Sequence, residues 1–219
     1  MLFWHTGEIR AQPLVETEVT ADGLYRVDPS IMGWAWVRPD ADLSRYTRMY
    51  FSPTVVQFRD VPEQAYSPRK ADSRREFPVT DARRARVREL FGESFHESVS
   101  RFRSYELSDE LGRDVLMVQG FLTDVISGVP PKLVGNHVTS VGWAWQANIV
   151  VELRDSMSGE VLARTLDQQR IDGPFRADTV WGSTPQIVDG WSRLLVRRLG
   201  ELSDLYPSRL RRLQELSEQ

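Results

Sequence analysis

The sequence predicts an α+β fold in which a mixed, mainly antiparallel sheet forms one layer and two long helices pack on one of its faces. Three observations carry this prediction. Residues 141–154 alternate apolar and polar side chains over a long run, which is typical of a strand with one buried face. Residues 87–102 and 187–205 instead repeat apolar side chains every three to four positions, as amphipathic helices do. Helices with one apolar stripe need a sheet face to cover, so two layers follow.

Two further strands are predicted before the long alternating run. Residues 46–59 form a strand interrupted at Pro53, which cannot donate a ladder hydrogen bond and therefore indicates an edge position or a bulge. Residues 115–125 form a dense apolar run of strand length, typical of a central strand. Because a helix connects these two strands, a right-handed crossover with parallel pairing is expected.

The two helices have recognisable ends in the sequence. Thr80 and Asp81 are N-cap candidates for the first helix. Thr184 followed by Pro185 opens the second helix with a capping hydroxyl and a proline in its first turn. Tyr206-Pro207 is predicted to end that helix, and residues 207–219 are predicted to form a short tail helix. The apolar stripes consist of Val87, Leu90, Phe91, Phe95, Val99 and Phe102, and of Ile187, Val188, Trp191, Leu194, Leu195, Leu199, Leu202 and Leu205.

The long strand is predicted to turn back on itself as a β-hairpin. Asp155, Ser158 and Gly159 supply the turn, because Asp and Ser side chains bond local backbone and Gly accepts a positive φ. The second arm then runs to about Ile171. The alternation places Trp143 and Trp145 on one side of the strand, which could face the helices. The tetrapeptide at residues 142–145 also occurs at 33–36, but the flanking residues differ and we interpret the match as coincidence.

Composition limits the possible functions. The 219 residues are predicted to form a single domain, 1–219, with residues 1–35 as an irregular N-terminal arm. The net charge of -3 gives no electrostatic basis for nucleic-acid binding. Cysteine is absent, which excludes disulfides, a thiol nucleophile and Cys-based metal sites. No apolar run approaches the roughly 20 residues that a membrane-spanning helix requires.

No pattern in the sequence indicates catalysis. His5, His96 and His137 are scattered without metal-ligand spacing, and there is no nucleophile elbow or phosphate-binding loop. Among the carboxylates, Asp155, Glu160 and Asp167 could resemble a catalytic set, but the turn position of Asp155 favours a structural role. We therefore expect a protein that is not an enzyme and has no cofactor and no metal site.

Two groups of residues are candidates for contact with a partner. Arg83, Arg84, Arg86 and Arg88 form a basic cluster at the start of the first helix, which is either a solvated face or a patch for an anionic partner. Positive charges at the N-terminus of a helix interact unfavourably with the helix dipole, and each one destabilises the helix by up to about 1 kcal/mol. Trp34 and Trp36 are the second candidate, as aromatic anchors of a protein interface.

Several segments of the chain have distinctive local patterns: 22–27 (DGLYRV), 37–53 with its P-x-A-D-L-x-x-Y pattern, 114–116 with 122–125, and 155–163 (DSMSGEVLA). Together these segments resemble a bacterial family of unknown function, DUF 3313. The resemblance covers about residues 20–205. The resemblance implies a protein of the Gram-negative envelope, in the periplasm or at the periphery of the outer membrane. It supplies no activity and no catalytic residues.

These observations lead to one expected function and one alternative. We expect a non-catalytic binding or assembly protein, a scaffold of the bacterial cell envelope that acts through protein–protein contacts, with a second copy of the chain as the simplest partner. The alternative is a periplasmic protein that binds a small ligand or an anionic lipid. Membrane contact is expected only through a leader or lipid anchor, and neither a signal peptide nor a lipobox is present in this chain. A cytoplasmic location is therefore the alternative to the envelope.

Overall fold

A computed structural model describes residues 14–27, 33–62, 76–101, 105–130 and 140–217, with side chains from residue 19 to residue 200. The strands are β1 (Leu14–Val19), β2 (Tyr25–Val27), β3 (Trp34–Val37), β4 (Arg48–Phe51), β5 (Val55–Phe58), β6 (Glu106–Leu107), β7 (Val115–Ser127), β8 (Ser140–Asp155) and β9 (Val161–Arg176). The helices are α1 (Asp81–Ser100) and α2 (Thr184–Ser217), with short 3-10 turns at Leu43–Arg45 and Val180–Ser183.

All nine strands of the described residues belong to one mixed sheet. The strand order is β1-β2-β3-β9-β8-β7-β4-β6, and β5 also pairs with β7. Strands β7, β8 and β9 form an antiparallel meander, whereas β4 and β5 lie parallel to β7. The predicted α+β class, the parallel unit around α1 and the central position of β7 are therefore confirmed.

Pro53 divides the strand predicted at 46–59 into two pieces. β4 pairs with residues 115–118 of β7, and β5 pairs with residues 121–125 farther along the same strand. Because proline has no backbone N–H, the ladder is interrupted where Pro53 stands and resumes two residues later. The interruption that the sequence predicts is thus observed as a break between two short strands on one side of β7.

Both helices lie over the same face of the sheet. Their buried residues recur at the spacing that the sequence predicts: Val87, Phe91, Phe95 and Val99 in α1, and Val188, Trp191, Leu195 and Leu199 in α2. These side chains share one core with Leu116, Val118, Leu122, Ile149, Val151 and Leu153 of the sheet. Gly120 of β7 lies beneath both helices, because a Cβ there would come 3.3 Å from the Phe95 ring and 3.4 Å from Leu195. We call the other side of the sheet the open face.

The N-terminal prediction is wrong within the described residues. Residues 1–35 are not simply an irregular arm, because β1, β2 and the start of β3 form antiparallel pairs there. β3 joins these strands to β9, with Ala35 opposite Thr165 and buried in the core. These strands are six, three and four residues long, which is too short for a clear alternation of apolar and polar residues. Their extended conformation depends on pairing with neighbouring strands.

The predicted end of the second helix is also wrong. α2 continues through Tyr206-Pro207 to Ser217, so residues 207–219 do not begin a separate tail helix. Proline removes one helical hydrogen bond and clashes with the preceding turn, at a cost of about 3 kcal/mol, but its fixed φ is compatible with the helix. The good helix formers that follow Pro207 favour continuation.

The capping prediction is correct in position for Thr80 and wrong for Thr184, and neither side chain makes a capping hydrogen bond. Thr80 is the N-cap of α1 with an extended backbone, yet its side chain makes no capping hydrogen bond. Thr184 already has helical dihedral angles, because the 3-10 turn runs directly into α2, and its buried hydroxyl has no hydrogen-bond partner. The first turn of each helix therefore begins without the side-chain cap that the sequence predicts.

The pairing of β8 shifts near its first residues and separates two tryptophans. From Gln146 to Trp143 the strand advances three residues while its partner β9 advances two, so β8 contains one extra residue. Trp145 lies in the main core, whereas Trp143 packs in a separate cluster with Val61 and Ile126. The prediction that both tryptophans share one side, facing the helices, is therefore wrong for Trp143. Both side chains are nevertheless buried.

Candidate functional site

A row of apolar side chains crosses the open face of the sheet. Register places its members directly opposite one another on five neighbouring strands: Trp34 on β3, Leu166 on β9, Val150 on β8, Phe121 on β7 and Val55 on β5. Trp34 and Val55, at the two ends, are 42% and 41% exposed. The three central side chains are partly exposed and do not belong to the core beneath the helices. We call these five residues the open-face row.

The tryptophans predicted as interface anchors lie at one end of this row. Trp34 and Trp36 stack with a centroid separation of 6.1 Å and an interplanar angle of 13°. The guanidinium carbon of Arg26, on β2, lies 4.0 Å from the centroid of the Trp34 ring. Ala35, between the tryptophans, points to the core. β3 therefore alternates regularly and presents both indoles on the side away from the helices.

A charged row lies beside the open-face row. Glu152, only 5% exposed, accepts a hydrogen bond of 2.6 Å from Arg164, its direct cross-strand neighbour. Arg154 donates to the same carboxylate, at 3.0 Å from Nε, and Arg164 also donates to Asp22 at 2.7 Å. The buried carboxylate is therefore compensated by two guanidinium groups, as a buried charge requires.

The four arginines predicted as a patch have different surroundings. Arg83 lies over the Trp181 ring at 3.6 Å from its centroid. Arg84 and Arg88 lie over Phe58, at 5.4 and 5.2 Å. Arg86 forms an ion pair of 2.5 Å with Glu89 on the solvent side of α1. The structure thus separates the cluster into three settings, and its contact with an anionic partner stays a prediction.

Trp181 links Arg83 to the core beneath the helices. It meets Trp145 edge to face, with ring centroids 5.0 Å apart. Three nitrogens are buried here and have no hydrogen-bond partner among the described residues: Nη1 of Arg83 and the indole nitrogens of Trp145 and Trp181. These three residues form a group of unsatisfied donors between the start of α1 and the start of α2. Sequence reasoning pointed to no part of it except Arg83, because Trp145 and Trp181 become neighbours of Arg83 only in the folded chain.

The hairpin turn contains Asp155, Ser158 and Gly159, as the sequence predicts. One carboxylate oxygen of Asp155 accepts hydrogen bonds from the backbone N–H groups of Met157 and Ser158, at 2.9 and 2.8 Å. Gly159 has a φ of +72° and donates its N–H to the Asp155 carbonyl at 2.8 Å. The carboxylate thus fixes the turn through local backbone contacts.

Tyr46 is a partner of this turn that sequence reasoning missed. Its hydroxyl donates to the second carboxylate oxygen of Asp155 at 2.7 Å, and Arg45 donates to the same oxygen at 2.6 Å. Burial alone would raise the pKa of Asp155, but the hydrogen bonds from Tyr46 and Ser158 outweigh it and lower that pKa to about 2. Burial raises the pKa of Tyr46 to about 12. The arrangement keeps the carboxylate ionised and the phenol protonated.

The remaining carboxylates of the set considered for catalysis are occupied by separate arginines. Asp167, 6% exposed, accepts hydrogen bonds from Arg198 of α2 at 2.9 Å and from the Gly33 backbone at 3.1 Å. Glu160 pairs with Arg38 at 3.2 Å. Asp155, Glu160 and Asp167 therefore belong to three different contacts, and the structure does not bring them together.

Within the described residues, His96 is the one histidine, and it lies away from these sites. His96 is exposed on α1, and His5 and His137 lie outside the described residues. Among the residues that the structure describes, no group of three or more His, Asp or Glu side chains could hold a metal ion. Within the same residues, no helix is both long enough and apolar enough to cross a membrane.

Comparisons with known proteins show limited similarity. No family model matches the chain, so the resemblance to DUF 3313 stays an expectation. No curated protein matches its sequence either. Similar solved structures include a Xanthomonas campestris protein of the family DUF330, at 7% identity and a TM-score of 0.40 over 72% of this chain and 89% of that one.

Two other similar structures also come from bacteria. A Helicobacter pylori homolog of a neuraminyllactose-binding hemagglutinin has 8% identity and a TM-score of 0.38, over 81% of this chain and 92% of that one. The PelC dodecamer of Paraburkholderia phytofirmans has 8% identity and a TM-score of 0.29, over 69% and 89%. At these values the similarity carries no argument about what this chain binds or how it assembles.

Proposed function

We propose that this chain is a non-catalytic binding and assembly protein of the bacterial cell envelope, which acts through protein–protein contacts on its open face. The observation that carries the proposal is the open-face row. Partly exposed apolar side chains on five successive strands form a contiguous stripe on the face opposite the helices. Contiguous exposed apolar surface is typical of interaction sites rather than of ordinary protein surface.

The dimensions of the row favour a second sheet as its partner. Five strands are joined by four spacings of about 4.8 Å, so the row is about 19 Å long. A small ligand would cover only part of it, whereas a second sheet packed about 10 Å away could cover the whole row. Stable interfaces bury about 800 Å² per partner, which the open face of the long strands β7, β8 and β9 can provide.

A second copy of this chain is the partner that we propose. In such a dimer, a two-fold axis would lie between the two sheets, across the centre of the open-face row. The rows of the two copies would then face each other in opposite directions, with Val150 of each copy near the axis. Trp34 of each copy would then meet the Val55 end of the other. The stacked indoles with Arg26 form an aromatic anchor of the kind that dominates interface energies.

The other parts of the proposal rest on the sequence. The envelope location is supported by the resemblance to DUF 3313 alone. The absence of catalysis is supported by the lack of nucleophile, phosphate-binding and metal-binding motifs. Neither part is needed for the open-face contact, which is tested independently.

Sedimentation equilibrium of the purified chain over a range of concentrations tests the proposed contact. We expect a species larger than the 25.2 kDa monomer that dissociates on dilution. Trp34→Ala and Val55→Asp should each weaken association by about tenfold or more, because the first removes an aromatic anchor and the second places an unpaired charge in an apolar contact. Met157→Ala is the matched control, because Met157 is 62% exposed in the hairpin turn and outside the row.

Two results would contradict this proposal. One is a monomer at every concentration. The other is an oligomer that Trp34→Ala and Val55→Asp leave intact while both variants remain folded, as judged by circular dichroism. Loss of the oligomer in the Met157→Ala control would place the contact at the hairpin turn instead.

A further inference from the structure

Arg83 differs from the other arginines in the first half of α1. Arg86 has a carboxylate partner, whereas the Nη1 of Arg83 is buried and has no hydrogen-bond partner. Burial lowers the pKa of the Arg83 guanidinium from its usual value, although an arginine remains charged. Arg83 as a whole is partly exposed and stacks on Trp181, but a buried guanidinium nitrogen without an acceptor is costly and native proteins normally pair it.

The aromatic neighbours of Arg83 present donors of the same polarity. Trp145 is 1% exposed, and its indole N–H has no acceptor. The Nε1–H of Trp181 also lacks an acceptor. The contacts of Trp181 with Arg83 and Trp145 involve ring systems, whereas an indole N–H lies in the plane of its own ring and still needs an acceptor. Buried polar groups without partners are rare in native proteins.

The start of α1 adds positive potential to this group. Arg83 is the third residue of the helix, where backbone N–H groups have no acceptor within the helix. The Thr80 side chain does not cap them, and Asp81, the acidic residue of this turn, is exposed. The positive end of the helix dipole disfavours Arg83 and would favour an anion beside it. The guanidinium, the indole N–H groups and the N-terminus of α1 therefore all present positive charge or positive potential.

We propose that Arg83, Trp181 and Trp145 form a binding site for the oxyanion of a small ligand, either a carboxylate or a phosphate. The planar guanidinium can bind two oxygens of such a group at once. The indole N–H groups would donate to the same anion, and the partly exposed Trp181 ring would cover an adjoining apolar part of the ligand. This site lies on the helix-covered side of the sheet, so its test is independent of the test of the open-face contact.

Isothermal titration calorimetry on the full chain tests the site with three probes. Benzoate carries a carboxylate on an apolar ring, inorganic phosphate is an oxyanion without an apolar part, and benzamide is a neutral analogue of benzoate. We expect saturable binding of benzoate, of phosphate or of both, and none of benzamide at millimolar concentration. The response to benzoate relative to phosphate identifies which oxyanion the site accepts.

Three variants connect that binding to the named residues. Arg83→Met should weaken anion binding by about tenfold or more, since hydrogen bonds to charged groups contribute about 1.5–3 kcal/mol. Trp181→Phe keeps an aromatic ring but removes the N–H, and it should weaken binding less. Arg86→Met removes one positive charge three residues along the same helix and should leave the dissociation constant unchanged.

The proposal fails if the folded wild-type chain binds neither benzoate nor phosphate. It also fails if Arg83→Met and Arg86→Met weaken binding equally, because the anion would then respond to net charge alone. Equal binding of benzamide and benzoate would likewise show that the charge of the ligand is not recognised.

Discussion

The tetrapeptide Gly-Trp-Ala-Trp occurs twice in this chain and adopts two different arrangements in the same sheet. In β3 the alternation is regular, so Trp34 and Trp36 share the open face while Ala35 is buried. In β8 an extra residue interrupts the ladder, so Ala144 and Trp145 both join the main core and Trp143 packs in another cluster. Identical local sequence therefore does not determine which face a side chain occupies. Pairing with the neighbouring strand does.

Alanine substitution should separate the two copies most strongly. Trp145→Ala removes a side chain that is 1% exposed, and we expect a loss of about 3–5 kcal/mol in the free energy of unfolding. Trp34→Ala removes an exposed indole and its contact with Arg26, for which we expect about 1 kcal/mol or less. Urea denaturation measures both values. Equal losses for the two variants would show that the burial difference between the copies is wrong.

Gly128 provides a sharper test of the β8 arrangement. It lies just after β7, donates its N–H to the Ala144 carbonyl, and a Cβ there would come 2.5 Å from the Trp143 carbonyl oxygen and 2.6 Å from the ring. Gly128→Ala must therefore displace Trp143, and we expect a loss of about 1–3 kcal/mol. Gly190→Ala in α2 is the control, because a methyl group there has no heavy atom within 4 Å beyond its chain neighbours and the backbone of its own helix. Alanine favours a helix over glycine, so we expect the free energy of unfolding to rise by about 0.5–1 kcal/mol. Wild-type thermal stability of Gly128→Ala would contradict the packing of Trp143.

The smallest expected effect concerns the hairpin turn at the other end of β8, which sets its register with β9. Because hydrogen bonds lower the pKa of Asp155 to about 2, below the unfolded value of about 3.9, the stabilisation is present above about pH 4 and is lost as the pH falls towards 2. Tyr46→Phe removes one of these bonds and should cost about 1 kcal/mol at neutral pH.

Unfolding measured as a function of pH checks this contribution. Asp155→Asn should reduce the loss of stability between about pH 4 and pH 2, relative to the wild type. Asp109→Asn changes an exposed loop carboxylate and serves as the control. If Asp155→Asn retains the full acid sensitivity of the wild type, the Tyr46–Asp155 contact does not contribute in the way described.

The sequence predicted those features that arise from patterns within one segment. The apolar stripes of α1 and α2, the interruption at Pro53 and the turn at Asp155–Gly159 all follow from local periodicity or from the chemistry of one residue type. The α+β class followed from combining them. These features need no knowledge of which segments become neighbours.

The features that the sequence did not predict depend on distant parts of the chain. An extra residue in β8 has meaning only relative to β9, and Tyr46 meets Asp155 across 109 positions. The separation of Arg83 from Arg86 likewise depends on Trp181, which belongs to a segment about 100 residues later. The sequence predicted Trp34 of the open-face row as an interface residue. The other four members become its neighbours only through the register of the strands.

The attachment of β3 to β9 has a consequence for the order of events during synthesis. The Gly33 N–H binds the Asp167 carboxylate across 134 positions, so the strand that receives β3 is completed long after β3 itself. Domains are synthesised from the N-terminus at a limited rate, and an early strand without its partner remains exposed to aggregation in the meantime. Strands β7, β8 and β9 are contiguous and can pair as soon as they emerge. β1, β2 and β3 can pair with one another early, but the edge of β3 that receives β9 stays unpaired until β9 has been made, which leaves that edge accessible to chaperones during the interval.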